Sequence, residues 1–297
     1  MNSNLVRRFR KHWIGYVFVS PWCILFAVFG LWPILYALYL SLHNTRLMQR
    51  TSESGLTLYN YTYLFTDSSS DLLLTIRNTL IYVLFHIPTL FLTALLLAYL
   101  LNRKLRFEAV WKTMIFLPIV TAGVVYAMMW KSILGYNGLL NEGLRFLGLG
   151  SLNLLSHIHT AMPTVAIVDA LKQAPYWTII LISALTSVSA ELYDSATIDG
   201  ATSLQKFTRI TLPMIAPVIF FMLFMLSIGA WNAFEQVFVL TQGGPDNASL
   251  TITYYLYSLF SRGRIGMAAA VGIVIGLLVM LTTILVRRLV KTEDHYQ

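Results

Sequence analysis

The chain has 297 residues, of which 57% are hydrophobic and only 11% charged, with a formal net charge of +8. So few charges cannot cover the surface of a soluble domain of this length, so the solvent for most of the chain is a bilayer. Its single cysteine, Cys23, excludes an intramolecular disulfide and any cysteine-based metal site, and the basic residues, scattered between apolar runs, do not form the face that nucleic acid requires.

A bilayer core about 30 Å thick is crossed by roughly 20 helical residues. Stretches of that length run over about 14–41, 75–101, 109–134, 163–188, 212–240 and 265–287, predicting an all-α integral membrane protein with six spans, because lipid offers no partner to unpaired backbone groups. The first follows a basic run, Arg7, Arg8, Arg10 and Lys11, with no small-residue cleavage site, and reads as a retained span. Pro33, Pro88 and Pro118 are tolerable inside spans, with local kinks expected. One transmembrane domain is expected over 1–297, since the loops at 43–74, 135–162 and 241–264 have room only for turns and short helices.

An even number of spans puts both termini on one side. Arg7, Arg8, Arg10, Lys11, Arg103, Lys104, Arg106, Lys112, Lys206, Arg209, Arg287, Arg288 and Lys291 fall on that side. Opposite lie Arg46, Arg50, Arg77, Arg145, Arg262 and Arg264. The excess predicts cytoplasmic termini.

Nucleotide-binding, zinc-protease and serine-hydrolase motifs are absent. His157 and His159 form a His-x-His in an outward loop with no third ligand nearby, and read as solvated. Asp169 and Lys172, three apart in span four, suit an ion pair with each other as well as a substrate contact, while His86 in span two suits a helix-to-helix hydrogen bond. Span five carries Trp231, Asn232, Phe234, Glu235 and Gln236 before a Gly-Gly-Pro turn. Aromatic faces stack on sugar CH surfaces and the amide and carboxyl groups bond hydroxyls, so this mixture suits a neutral polyol; polar groups of this kind also serve as glue between helices.

Between spans four and five lies AELYDSATIDGATSLQKFTRITLP, residues 190–213. It reads as a short helix, a break at Asp199-Gly200, a second short helix capped by Thr202 or Ser203, and a stop at Pro213. Leu192 and Ala196, then Phe207 and Ile210, recur at helical spacing. A lipid-surface helix carries dense Lys and Arg, whereas here Glu191, Asp194 and Asp199 stand among small residues, which suits insertion into a protein cleft.

This segment resembles the EAA loop of permeases of ABC importers. The pattern is met by Asp194-Ser195-Ala196, Gly200, Ile210 and Leu212-Pro213 at the family's spacing, with Asp194 in place of Glu and Ser195 in place of the first Ala. Asp199-Gly200-Ala201 is similar to the carbohydrate, maltose-type branch. SPWCILFAVFGLWPILYALYLSL, GLTLYNYTYLF, Arg77-Asn78-Thr79-Leu80, FLPIVTAGVVYAMMW and LTQGGPDNAS resemble the family's other fragments in the family's order. The resemblance implies the type I importer permease fold of six helices in a bacterial inner membrane, and a sugar-translocating subunit that is not itself an enzyme and binds no cofactor, with Trp231, Asn232, Phe234, Glu235 and Gln236 as its candidate substrate pathway. It implies as partners a second permease chain, two ATPase subunits that bind the ATP and receive the 190–213 loops, and a periplasmic sugar-binding protein. A permease of the same class for a non-sugar solute, or a secondary transporter, shares the polytopic plan.

Overall fold

The computed structural model describes residues 3–45, 55–102 and 106–289. Arg46, Arg50, Arg103, Lys104 and Lys291, and the side chains of Arg7, Arg8, Arg10 and Lys11, lie outside the described residues. All regular structure among the described residues is helical: α1 (Ser3–Phe26), α2 (Trp32–Ser41), α3 (Tyr59–Thr66), α4 (Leu72–Leu101), α5 (Glu108–Val120), α6 (Gly123–Leu134), α7 (Leu139–Phe146), α8 (Ala161–Thr186), α9 (Ala190–Ile198), α10 (Ser203–Lys206), α11 (Leu212–Ala230), α12 (Glu235–Leu240), α13 (Ile252–Ser261) and α14 (Ile265–Leu289), with π turns at Ala27–Leu31 and Phe207–Thr211.

Five helices are long and apolar enough to cross a membrane: Gly15–Ser41, Leu72–Leu101, Ala161–Thr186, Ser203–Ala230 and Ile265–Arg288. Residues 109–120 and 123–146 pass the same test only together and are bent by 103°; counted as one broken span they bring the number to six. Two expected spans therefore need correction. The third is not one straight helix over 109–134: Thr121 and Ala122 take extended backbone angles between α5 and α6. The fifth does not run over 212–240, since its helix ends at Ala230 and resumes only at Glu235.

The start of the fifth span also departs from expectation, because Pro213 does not stop a helix there. Instead the Leu212 N–H donates to the Phe207 carbonyl five residues back, and this widened turn admits the proline ring and its missing N–H into a helix that continues from Ser203 to Ala230. Trp32-Pro33 repeats the device, with Trp32 N–H bonding the Ala27 carbonyl.

The chain divides into two units, Met1–Ser70 with Ser258–Val274, and Asp71–Tyr257 with Ile275–Gln297. In the first, the Asn60 amide of α3 donates to the carbonyls of Ser41 (2.8 Å) and His43 (2.9 Å), and Tyr61 donates to the Ser41 hydroxyl at 2.8 Å. Gly266 N–H bonds Thr45 O at 3.2 Å, and a Cβ on Gly266 would collide with the His43 carbonyl. Asn60 and Tyr61, within the GLTLYNYTYLF fragment, thus tie down the end of the first span. None of the most apolar stretch of Gly15–Ser41 is buried within the chain, as lipid-facing or partner-facing surface requires.

In the second unit α4 and α8 pack along their length through Ala94, Ala98, Ala170 and Ala174, all essentially inaccessible. Small side chains let backbones approach, the main source of helix attraction where lipid cancels the hydrophobic one. Thr178 Oγ1, 2.8 Å from Ala174 O, lies 3.5 Å from the Ala94 carbonyl across the interface. Ile215, Ile219, Met222 and Leu226 of α11 complete this core.

Candidate functional site

A cavity of about 430 Å³ opens among α4, α8, the end of α11 and the residues that follow it. Its position comes from the interruption at 231–234. Unpaired carbonyls at that point of an apolar span are costly, and two threonines meet them: Thr253 Oγ1 donates to Trp231 O and Thr251 Oγ1 to Ala233 O, each at 2.8 Å. The segment beyond is held in turn by α4, where Asn78 donates to the carbonyls of Asn247 (2.8 Å) and Leu250 (3.2 Å), and Thr79 Oγ1 accepts from Ile252 N–H at 3.0 Å. Lys131 of α6 donates to Val239 O at 2.9 Å, anchoring α12.

Of the five pathway residues expected from sequence, Asn232, Phe234, Glu235 and Gln236 line the cavity. Trp231 does not: it is 2% exposed and packed in the protein interior. Phe234 belongs to an aromatic cluster with Phe238, Tyr254 and Tyr257, centroids 5.1–5.9 Å from its own.

The opposite wall is the polar stripe of α8. Asp169, Lys172, Gln173 and Tyr176 stand at i, i+3, i+4 and i+7, one face of a helix. That spacing was visible in the sequence, but whether the stripe met a cavity or another helix was not. Asp169 and Lys172 do not pair with each other. Lys172 Nζ lies 3.5 Å from Glu235 Oε2 across the cavity. Asp169 Oδ2 accepts from the Tyr82 hydroxyl and from Gln173 Nε2, the latter at 3.0 Å. His86, 2% exposed, stacks on Tyr82 with centroids 4.9 Å apart and sets Nε2 3.5 Å from Asp169 Oδ2 and 3.3 Å from Gln173 Nε2. It is the interhelical contact expected, and it also lines the cavity. Gly123, the first residue of α6, lies beside Glu235, whose carboxylate occupies the space a Cβ would take.

The 190–213 segment forms a second candidate surface. Ser189 caps α9 by accepting Glu191 N–H at 3.3 Å, and Thr202 with Gln205 forms a reciprocal capping box at α10. Between them Gly200 has φ +75°, with Gly200 N–H to Thr197 O at 3.1 Å and Ala201 N–H to Ala196 O at 2.9 Å. This is the paired closure that ends a helix on a left-handed residue. Asp194, Ser195, Asp199, Gly200 and Pro213 are exposed, and Ala196, Ala201, Ile210 and Leu212 half-buried. Tyr193 and Ile210 turn inward onto the α4–α8–α11 core, Tyr193 with its hydroxyl 2.8 Å from Thr211 Oγ1. Leu192 is exposed within this chain, as are Ile198 (87%) and Leu204 (71%), three apolar side chains set around an acidic, small-residue surface.

His157 and His159 stand with ring centroids 5.5 Å apart in the loop before α8, and no group of three metal-ligating side chains occurs among the described residues.

A multi-helix membrane protein with a polar, ligand-sized cavity behind an interrupted span and a capped two-helix protrusion is built as a solute permease. Residues 75–293 match the family of the binding-protein-dependent transport system inner membrane component, and the chain belongs to that family. It is 34% identical over 279 residues to the lactose transport system permease protein LacF of Rhizobium radiobacter, covering 91% of this chain and 92% of that one. It is 27% identical over 288 residues to the trehalose/maltose transport system permease protein MalF of Thermococcus litoralis, covering 96% of each. In fold it is similar to a chain of a bacterial ABC transporter involved in the import of the acidic polysaccharide alginate, with a TM-score of 0.79, 25% identity and coverage of 97% of this chain and 100% of that one. A second structure of such a transporter, in complex with an alginate pentasaccharide-bound periplasmic protein, matches equally well.

Proposed function

We propose that this chain is the sugar-translocating permease of an ATP-driven importer in a bacterial inner membrane, working as a single permease domain over 1–297. The observation that supports the sugar reading above all is the cavity, which sets Asn232, Gln236, Gln173 and carboxyl groups beside Tyr176 and Phe234 in an otherwise apolar chain. Hydroxyl-bonding groups next to aromatic faces are what a polyol needs. The named sugar systems of its relatives point the same way. A second, homologous but different permease chain completes the pathway, and a periplasmic sugar-binding protein delivers the ligand. Two separate ATPase chains bind the ATP and dock on α9 and α10, whose exposed Leu192, Ile198 and Leu204 fit an apolar cleft. The chain itself is non-catalytic and holds no cofactor. Both termini face the cytoplasm, as does the 190–213 segment.

The test is assembly and flux. The tagged chain is expected to co-purify with an ATPase and a second permease, and proteoliposomes holding that complex should take up labelled sugar only with binding protein outside and ATP inside. Uptake without the ATPase chain would instead identify a secondary transporter, and uptake of only a non-sugar solute would retain the importer and discard the sugar.

A further inference from the structure

The charges of the cavity do not balance. Its lining holds two carboxylates, Asp169 and Glu235, and among the described residues one ammonium, Lys172. Lys172 lies against Glu235 at 3.5 Å. Asp169 is left to neutral donors: the Tyr82 hydroxyl and the Gln173 amide both serve Oδ2, in a residue only 7% exposed. His86 stands 3.5 Å away, with its Nδ1 buried and without a hydrogen-bond partner. A carboxylate so placed is costly unless something entering the cavity uses its open lone pairs.

We propose that Asp169 is the residue that sets charge selectivity for translocation: its Oδ1 accepts a hydroxyl of a neutral sugar, and its uncompensated charge turns away sugar acids. This rests on the sugar reading above. A sugar O–H donating to a carboxylate makes a charge-assisted bond, about twice as strong as a neutral one. A uronate brings a like charge to within a few ångströms of Asp169 in a poorly hydrated space, and among the described residues that line the cavity the one ammonium, Lys172, is held at Glu235. Rejection by repulsion is a general means of specificity. The likeness to an alginate importer is thus one of fold, and this chain is assigned to neutral, not acidic, saccharides.

The experiment uses the assembled importer in nanodiscs without binding protein and measures equilibrium binding by saturation-transfer NMR. The probes are lactose, maltotriose and arabinotriose as the neutral set and digalacturonate as the acid. Wild type is expected to bind at least one neutral probe and to bind digalacturonate about tenfold or more weakly. Asp169→Asn should narrow that gap by about tenfold, while Asp169→Glu preserves it. Glu235→Gln, which releases the Lys172 ammonium, should narrow it too, so the charge balance is tested even if Asp169→Asn does not assemble. Equal binding of acid and neutral probes by wild type, or an unchanged gap in the variants that remove a carboxylate, overturns the inference alone. Binding of no saccharide at all overturns the sugar reading and the inference together.

Discussion

Gly200 is where the proposed coupling surface is most exposed to a single substitution. Its φ of +75° closes α9 and lets Ala201 N–H return to Ala196 O, so that α10 starts three residues later in a new direction. An ideal Cβ built there meets nothing within 4 Å. Crowding therefore contributes nothing, and the cost of a side chain is that of the left-handed backbone: about 1–2 kcal/mol for an ordinary L-residue, more for a β-branched one and little for asparagine, which visits this region readily. One to two kcal/mol is a factor of about 5–30 in the population of the bent form. The expected order is Gly, then Asn, then Ala, then Val, both in ATPase retained on the tagged permease and in transport by proteoliposomes, with insertion and binding-protein docking unchanged. Wild-type retention and transport in Gly200→Val would refute the role given to 190–213. An Asn variant as impaired as Val would show instead that side-chain space, not backbone conformation, governs the site.

Thr251→Val keeps shape but removes the donor to the buried Ala233 carbonyl, which should cost about 1–3 kcal/mol and lower the thermal midpoint of the solubilised complex, with Thr251→Ser close to wild type; an unshifted Val variant would show that the interrupted span is held by other contacts. Gly123→Ala must push the Glu235 carboxylate aside and weaken its pairing with Lys172, so transport should fall while assembly persists, and Glu235→Asp, one methylene shorter, should restore part of it; normal transport in Gly123→Ala alone would separate Glu235 from the translocation step. In a Cys23→Ala background, Asn137→Cys is expected to react with a membrane-impermeant maleimide on intact cells and Asn102→Cys only after lysis; the reverse pattern would invert the proposed topology.

Residue patterns over short distances carried most of the architecture. Apolar runs of bilayer length mark five of the crossings because a helix satisfies its own backbone and needs only the right side chains facing lipid. The turn at Asp199-Gly200 and the cap at Thr202 were legible for a related reason, being settled by backbone conformation and a hydroxyl within a few residues. What the sequence could not decide is what happens where distant segments meet. Proline at 213 reads as a stop, and only the π turn, stabilised within a packed span, shows that the helix continues. Hydropathy runs unbroken through 212–240, yet Thr251 and Thr253, some 20 residues further on, stand where they can satisfy the carbonyls that an interruption frees. Asp169 and Lys172 suit an ion pair by spacing, but Tyr82 and Glu235, brought from other helices, claim them separately. Helical periodicity reports which side chains share a face; which charge neutralises which depends on neighbours that only tertiary packing supplies.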